Sequence, residues 1–257
     1  MDWYDSPSRI GCTGMTLYAS PYPIPDLLFT LYLLVYFPLS SLWRSRRPRP
    51  AKPDLPALLT YWRQARYVLM LICVFMLVKW LGGHSFVALG MGFPLSPGAL
   101  WGLAAAGFLL VLMHLLGNRM DRKLTPEERV KQEEKLRDLP FPMPRTRIET
   151  LAYLATMVGM TATWELLFRG YLLLVLTPFT GLPLAVALAA VSYGAGHGYD
   201  NPKQFFGSIL AAFAFTVGYA VTGNLWWLIV LHAAAPVAML YAARKITPTA
   251  DDGRLGA

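Results

Sequence analysis

Charge is scarce in this chain. Asp, Glu, Lys and Arg make up 15% of its 257 residues and hydrophobic residues 55%, a balance that excludes an ordinary soluble domain. Cysteine is scarcer still. Cys12 lies in the N-terminal tail and Cys73 in an apolar run, so neither a disulfide framework nor a Cys-based zinc site is indicated. Residues 1–23 lack a basic start followed by an apolar core, with Arg9 as their one base, and no cleavable signal peptide is expected. There is no His-Glu-x-x-His sequence and no internal repeat. The missing repeat speaks against a small-solute transporter, whose halves are commonly related.

What the chain does have is long apolar runs of about 17–25 residues, the length that crosses ~30 Å of hydrocarbon. They predict an all-α, polytopic transmembrane bundle of about seven spans: 24–43, 67–81, 100–116, 150–176, 182–199, 204–222 and 224–243. Pro38 is expected to kink or end the first span, and 177–181 to form a tight turn. The net charge is +8, but the bases cluster in loops. Arg44, Arg46, Arg47, Arg49, Lys52, Arg63 and Arg66 lie between the first two spans, and nine bases with seven acids lie in 117–149. Basic loops between apolar runs mark the cytoplasmic side. They place the N-terminus outside and the C-terminus in the cytoplasm, and they exclude nucleic acid as the reason for the charge.

The expected organisation is a tail at 1–23, a three-span half at 24–117, a cytoplasmic linker at 118–149, a four-span core at 150–245 and a tail at 246–257. Within the linker, Thr125-Pro126-Glu127-Glu128 reads as the start of a short surface helix, with Thr as N-cap and Pro at the first position. Gly82 to Pro97 carries no full charge, only His84, and is expected to lie outside the membrane on the far side.

The core half carries the few polar groups that a bilayer makes expensive. Glu165 and Arg169, four apart in the fourth run, fall on one helix face and can pair. His197 and His232 lie in later runs. Tyr193 and His197 share a helix face, and glycines flank His197. An acid, an Arg and two His inside spanning sequence is the pattern of an intramembrane functional site. Two readings stand for Glu165: a structural ion pair with Arg169, or a carboxylate that works with the imidazoles on water. Glu plus two His is also a zinc-like set. Here each ligand would come from a different helix with no ligand spacing in the sequence, so no metal or other cofactor is expected.

Trp164-Glu165-Leu166-Leu167-Phe168-Arg169 resembles the Glu-Glu-x-x-x-Arg motif of the CAAX-protease and bacteriocin-processing family of intramembrane endopeptidases. Tyr193 to His197 resembles the family's Phe-x-x-x-His motif. Asn224-Leu225-Trp226 followed by His232 resembles its third motif, which ends His-x-x-x-Asn. The resemblance spans about 148–243. It implies hydrolysis of a peptide bond in a membrane-anchored peptide or protein, with Glu165, His197 and His232 as catalytic residues and Arg169, Tyr193 and Trp164 in support. It also implies an integral membrane protein in contact with lipid, in bacteria in the inner (cytoplasmic) membrane.

Two positions depart from the pattern. Trp164 stands where the family has its first Glu, the residue credited with activating water, and Pro236 stands where the closing Asn would help hold an oxyanion. An indole N–H can donate but cannot take a proton from water. Proline has no N–H to donate. These departures keep a second reading open, a catalytically degenerate member acting as a membrane-bound binding or scaffold protein.

Overall fold

The computed structural model describes residues 23–47, 55–137, 141–199 and 202–246. The two tails apart from Pro23 and Ile246, the Pro-rich stretch 48–54, residues 138–140 and the Asp200-Asn201 turn lie outside the described residues. All regular elements among the described residues are helical: α1 (Ile24–Ser45), α2 (Ala57–Leu81), a widened turn at Val87–Met91, α3 (Pro97–Asp121), α4 (Pro126–Arg137), α5 (Arg147–Thr180), α6 (Leu182–Gly196), α7 (Pro202–Thr222) and α8 (Trp226–Ile246). α1, α2, α3, α5, α7 and α8 are long and apolar enough to cross a membrane. α6 has 15 residues and rises roughly 22 Å, short of a full crossing.

Local chemistry accounts for the helix ends. Ser96 caps α3, its Oγ accepting from the Ala99 N–H at 3.2 Å, with Pro97 in the first turn. Thr146 and Glu149 form a reciprocal capping box at α5: the Glu149 N–H donates to Thr146 Oγ1 at 3.2 Å, and the Thr146 N–H to Glu149 Oε2 at 3.1 Å.

Three sequence expectations are corrected. α2 begins at Ala57, ten residues earlier than the hydropathy places it. Arg63 and Arg66 belong to its first turns, because Arg is a good helix former whose long stem lies along apolar surface. α1 does not end at Pro38. Just before the proline its hydrogen bonds lengthen to i−5, Phe37 N–H donating to Tyr32 O, and the chain runs on helically to Ser45. The turn expected at 177–181 reduces to one residue. Pro178 is inside α5, and Gly181 at φ 74° alone separates α5 from α6.

α6 packs against α1, α5 and α7. Ala185, Ala189 and Ala190 on it are fully buried. At Gly194 an added Cβ would come 2.7 Å from the Ile209 Cα, so α7 approaches there backbone to backbone. Ser192 Oγ donates to the Leu33 carbonyl at 2.6 Å, joining α6 to the widened turn of α1. α8 packs on α3 and α5, and α2 on the first half of α5. Large apolar side chains such as Trp101, Leu210 and Val221 point outward, as lipid-facing surfaces require.

Candidate active site

α5 departs from regular helix where the sequence places its charges. Over Leu166–Tyr171 the bonding passes to i−5, with Leu172 N–H donating to Leu167 O. Such widened turns are frequent at functional sites. Glu165 immediately precedes the turn and Arg169 lies within it. Both are fully buried, and Arg169 Nη1 stands 3.4 Å from Glu165 Oε1. The guanidinium carbon lies 4.0 Å from the Tyr193 ring centroid, a cation–π contact that reaches across to α6.

The same Glu165 oxygen meets α8. His232 Nδ1 lies 2.6 Å from Oε1. A carboxylate facing a guanidinium is an acceptor, so the imidazole Nδ1–H is the donor, and Nε2 keeps its lone pair. The His232 side chain is 25% exposed while Glu165 has no exposure. The arrangement is therefore a carboxylate behind an imidazole, with the imidazole turned toward the accessible side. Pro236, one turn on, carries no donor. Its carbonyl accepts from the Tyr153 hydroxyl at 3.3 Å.

His197 stands apart from that bond. It follows the last residue of α6, is exposed, and its Nδ1–H donates to the Tyr193 carbonyl at 3.1 Å. Its link to the rest runs through the Tyr193 ring, 4.9 Å from the His197 ring and 6.3 Å from that of His232, both edge to face. Both imidazoles thus fix Nδ1 in a bond and leave Nε2 free of one among the described residues. Trp164 turns the other way. It packs against Phe37 at 4.7 Å and Phe168 at 5.7 Å between ring centroids, on the α1 side. Adjacent helical residues diverge by about 100°, which is why Glu165 and its neighbour address different helices. Among the described residues no group of three or more His, Cys, Asp or Glu is placed to hold a metal ion.

The comparisons with known proteins fall on this same half. Residues 146–238 match the family described as Type II CAAX prenyl endopeptidase, Rce1-like. The matched segment contains α5, α6, α7 and most of α8, and with them Glu165, Arg169, Tyr193, His197 and His232. No curated protein and no solved structure matches the chain. The family is one of membrane proteases, in keeping with the apolar helices that carry its residues here.

One buried polar group escapes the sequence reading. Asp26, inside the first apolar run, is fully buried and bonded to His84 and Tyr171. The signal was present: a carboxylate within spanning sequence is costly and needs partners. Its partners are distant in sequence, and Tyr171 reads as an ordinary aromatic.

Proposed function

We propose that the chain is an intramembrane endopeptidase that hydrolyses a peptide bond near the membrane-anchored end of a peptide or protein, with side chains and no resident metal activating the water. The observation that carries this reading is the 2.6 Å bond between Glu165 and His232 across α5 and α8. His232 Nε2 takes the proton from water as its oxygen attacks the scissile carbonyl carbon. Glu165 orients the ring and stabilises the imidazolium that forms, the role a buried carboxylate plays behind a general-base His. When the tetrahedral intermediate collapses, the C–N bond breaks and the amine leaves with a proton. His232 returns to the amine the proton it took from water, and His197, exposed on the other edge of Tyr193, orients the leaving amine by accepting from it at the free Nε2. Arg169 holds the Glu165 carboxylate in place from behind. The family description points to peptides with a prenylated Cys near the C-terminus as the first substrates to test, in a cytoplasmic membrane.

The test is cleavage of quenched fluorescent peptides by the full chain in lipid nanodiscs. One peptide ends in a prenylated Cys-aliphatic-aliphatic-Xaa sequence, and a second is anchored by an apolar helix. Wild type should cleave at least one, and His232→Ala and His197→Ala should each abolish it while keeping the wild-type unfolding temperature. Equal cleavage by wild type and both variants would remove the mechanism. No cleavage by any of them would leave the binding or scaffold reading.

A further inference from the structure

A second buried polar cluster lies away from the Glu165–His232 bond. His84 Nε2 stands 3.0 and 3.1 Å from the two carboxylate oxygens of Asp26. The Tyr171 hydroxyl donates to Asp26, whose Oδ1 and backbone carbonyl both lie 3.0 Å away, and Thr30 Oγ1 is 3.5 Å from the same hydroxyl. Gly82 makes room for this. A Cβ there would come 2.5 Å from His84 Nε2 and 2.6 Å from Asp26 Oδ2. A carboxylate with no exposure needs donors, and these come from the segment after α2 and from α5.

Tyr171 is the last residue of the widened turn that carries Arg169. The segment 82–96 meets that turn a second time, because a Cβ on Gly170 would come 2.7 Å from the Leu89 carbonyl oxygen. It then reaches α8. The Leu225 N–H donates to the Gly90 carbonyl at 2.9 Å, just before the helix that bears His232. Leu89 is fully buried. The segment 82–96 is therefore packed between the N-terminal half and the two helices of the candidate site.

We propose that Asp26 and His84 are positioning residues for the Glu165–His232 pair. By fixing Tyr171 and the 82–96 segment they hold the widened turn of α5 in place. The turn in turn holds Arg169 against Glu165. A turn bonded i−5 is one residue out of step with regular helix. If it reverted, every side chain beyond it would rotate, so an anchor at its last residue keeps the register. The kinetic part of this proposal rests on the peptidase reading, and the structural part does not.

The experiment is hydrogen exchange read by mass spectrometry on the full chain in nanodiscs, alongside cleavage of the prenylated peptide. Asp26→Ala should speed exchange in peptides covering 166–171 while leaving 185–195 of α6 unchanged. On the peptide it should lower kcat on the order of tenfold to a hundredfold, the cost of a misplaced reacting group, with KM within about twofold, since uniform binding is untouched. Asp26→Asn should restore most of both, because its carbonyl still accepts from Tyr171 and its amide can donate to a neutral imidazole. Should Asp26→Ala fail to fold, Tyr171→Phe removes the hydroxyl alone and keeps the ring against Phe29 and Phe75. The same local loosening is then expected. Unchanged exchange at 166–171, or equal loosening of all helices, would overturn the positioning role. If wild type cleaves no peptide, the peptidase reading falls and the exchange pattern still decides this one.

Discussion

Arg169 and Tyr193 are stacked, guanidinium carbon to ring centroid 4.0 Å, where α5 meets α6. The Tyr193 ring also has Phe168 at 5.2 Å, His197 at 4.9 Å and His232 at 6.3 Å around its edges. Its ring touches Arg169 and neighbours both imidazoles of the site. An aromatic ring suits that position because its face attracts the cation while its positive rim meets other rings edge on.

The ring contacts, more than the hydroxyl, are expected to hold the site. Tyr193→Phe should keep peptide cleavage within about threefold, since the ring contacts remain. Tyr193→Leu removes the cation–π contact, worth about 2 kcal/mol when desolvated, and should lower both the unfolding temperature and cleavage. Phe behaving as badly as Leu would show that the hydroxyl carries the function.

Breaking the buried ion pair should be costly and strongly non-additive. Arg169→Met leaves the Glu165 carboxylate with His232 alone, and a buried pair deprived of one partner loses about 3–5 kcal/mol. Glu165→Gln with Arg169→Met removes both charges and should recover much of that loss in a denaturation series. Cleavage should stay absent in the double variant, because the carboxylate behind His232 is gone. Additive losses across the cycle would mean that the two charges are not coupled.

The fold class was legible because lipid leaves little choice. Long apolar runs become helices whatever else they do. Glu165, Arg169, His197 and His232 stood out for the same reason, as costly exceptions in apolar sequence. How they join was not legible. A spacing of four relates Glu165 to Arg169, but nothing local states that His232 reaches the same oxygen or that His197 stands on the far edge of Tyr193. The α1 start shows the limit from the other side. Asp26 lies near the start of the first apolar run, and its role depends on His84 and Tyr171, far along the chain. The widened turn at Leu166–Tyr171 is marked by no proline or cap, and its Gly170 and Tyr171 meet residues far away in the sequence.

Trp164 offers a direct check on the assignment of the base. Its ring is engaged with Phe37 and Phe168, so in this structure it contributes packing and no chemistry. Trp164→Phe should retain at least about half of the cleavage and lose roughly 1–2 kcal/mol of stability from the smaller ring. If Trp164→Phe removed cleavage as completely as His232→Ala, the indole N–H would have to be an oxyanion donor, and the turn of Trp164 toward α1 would not describe the working state.

Two glycines on neighbouring helices should respond to the same substitution with opposite sign. At Gly194 a Cβ would meet the Ile209 backbone, 2.7 Å from Cα and 2.9 Å from N. Neither atom is the end of a flexible side chain, so α6 and α7 would have to separate. Overpacking of this kind costs typically ~1–3 kcal/mol. At Gly159 on α5 nothing lies within 4 Å of the added atom, and alanine there should be neutral or stabilising by about 0.5–1 kcal/mol, through the lower entropy lost on forming helix. Unfolding of the two variants in the same detergent measures the difference. Gly194→Ala should also loosen Tyr193, its neighbour in the chain, and lower cleavage, whereas Gly159→Ala should leave cleavage unchanged. Equal and small effects at both positions would mean that α6 and α7 are not in backbone contact, and the placement of Tyr193 and His197 beside α5 and α8 would lose its support.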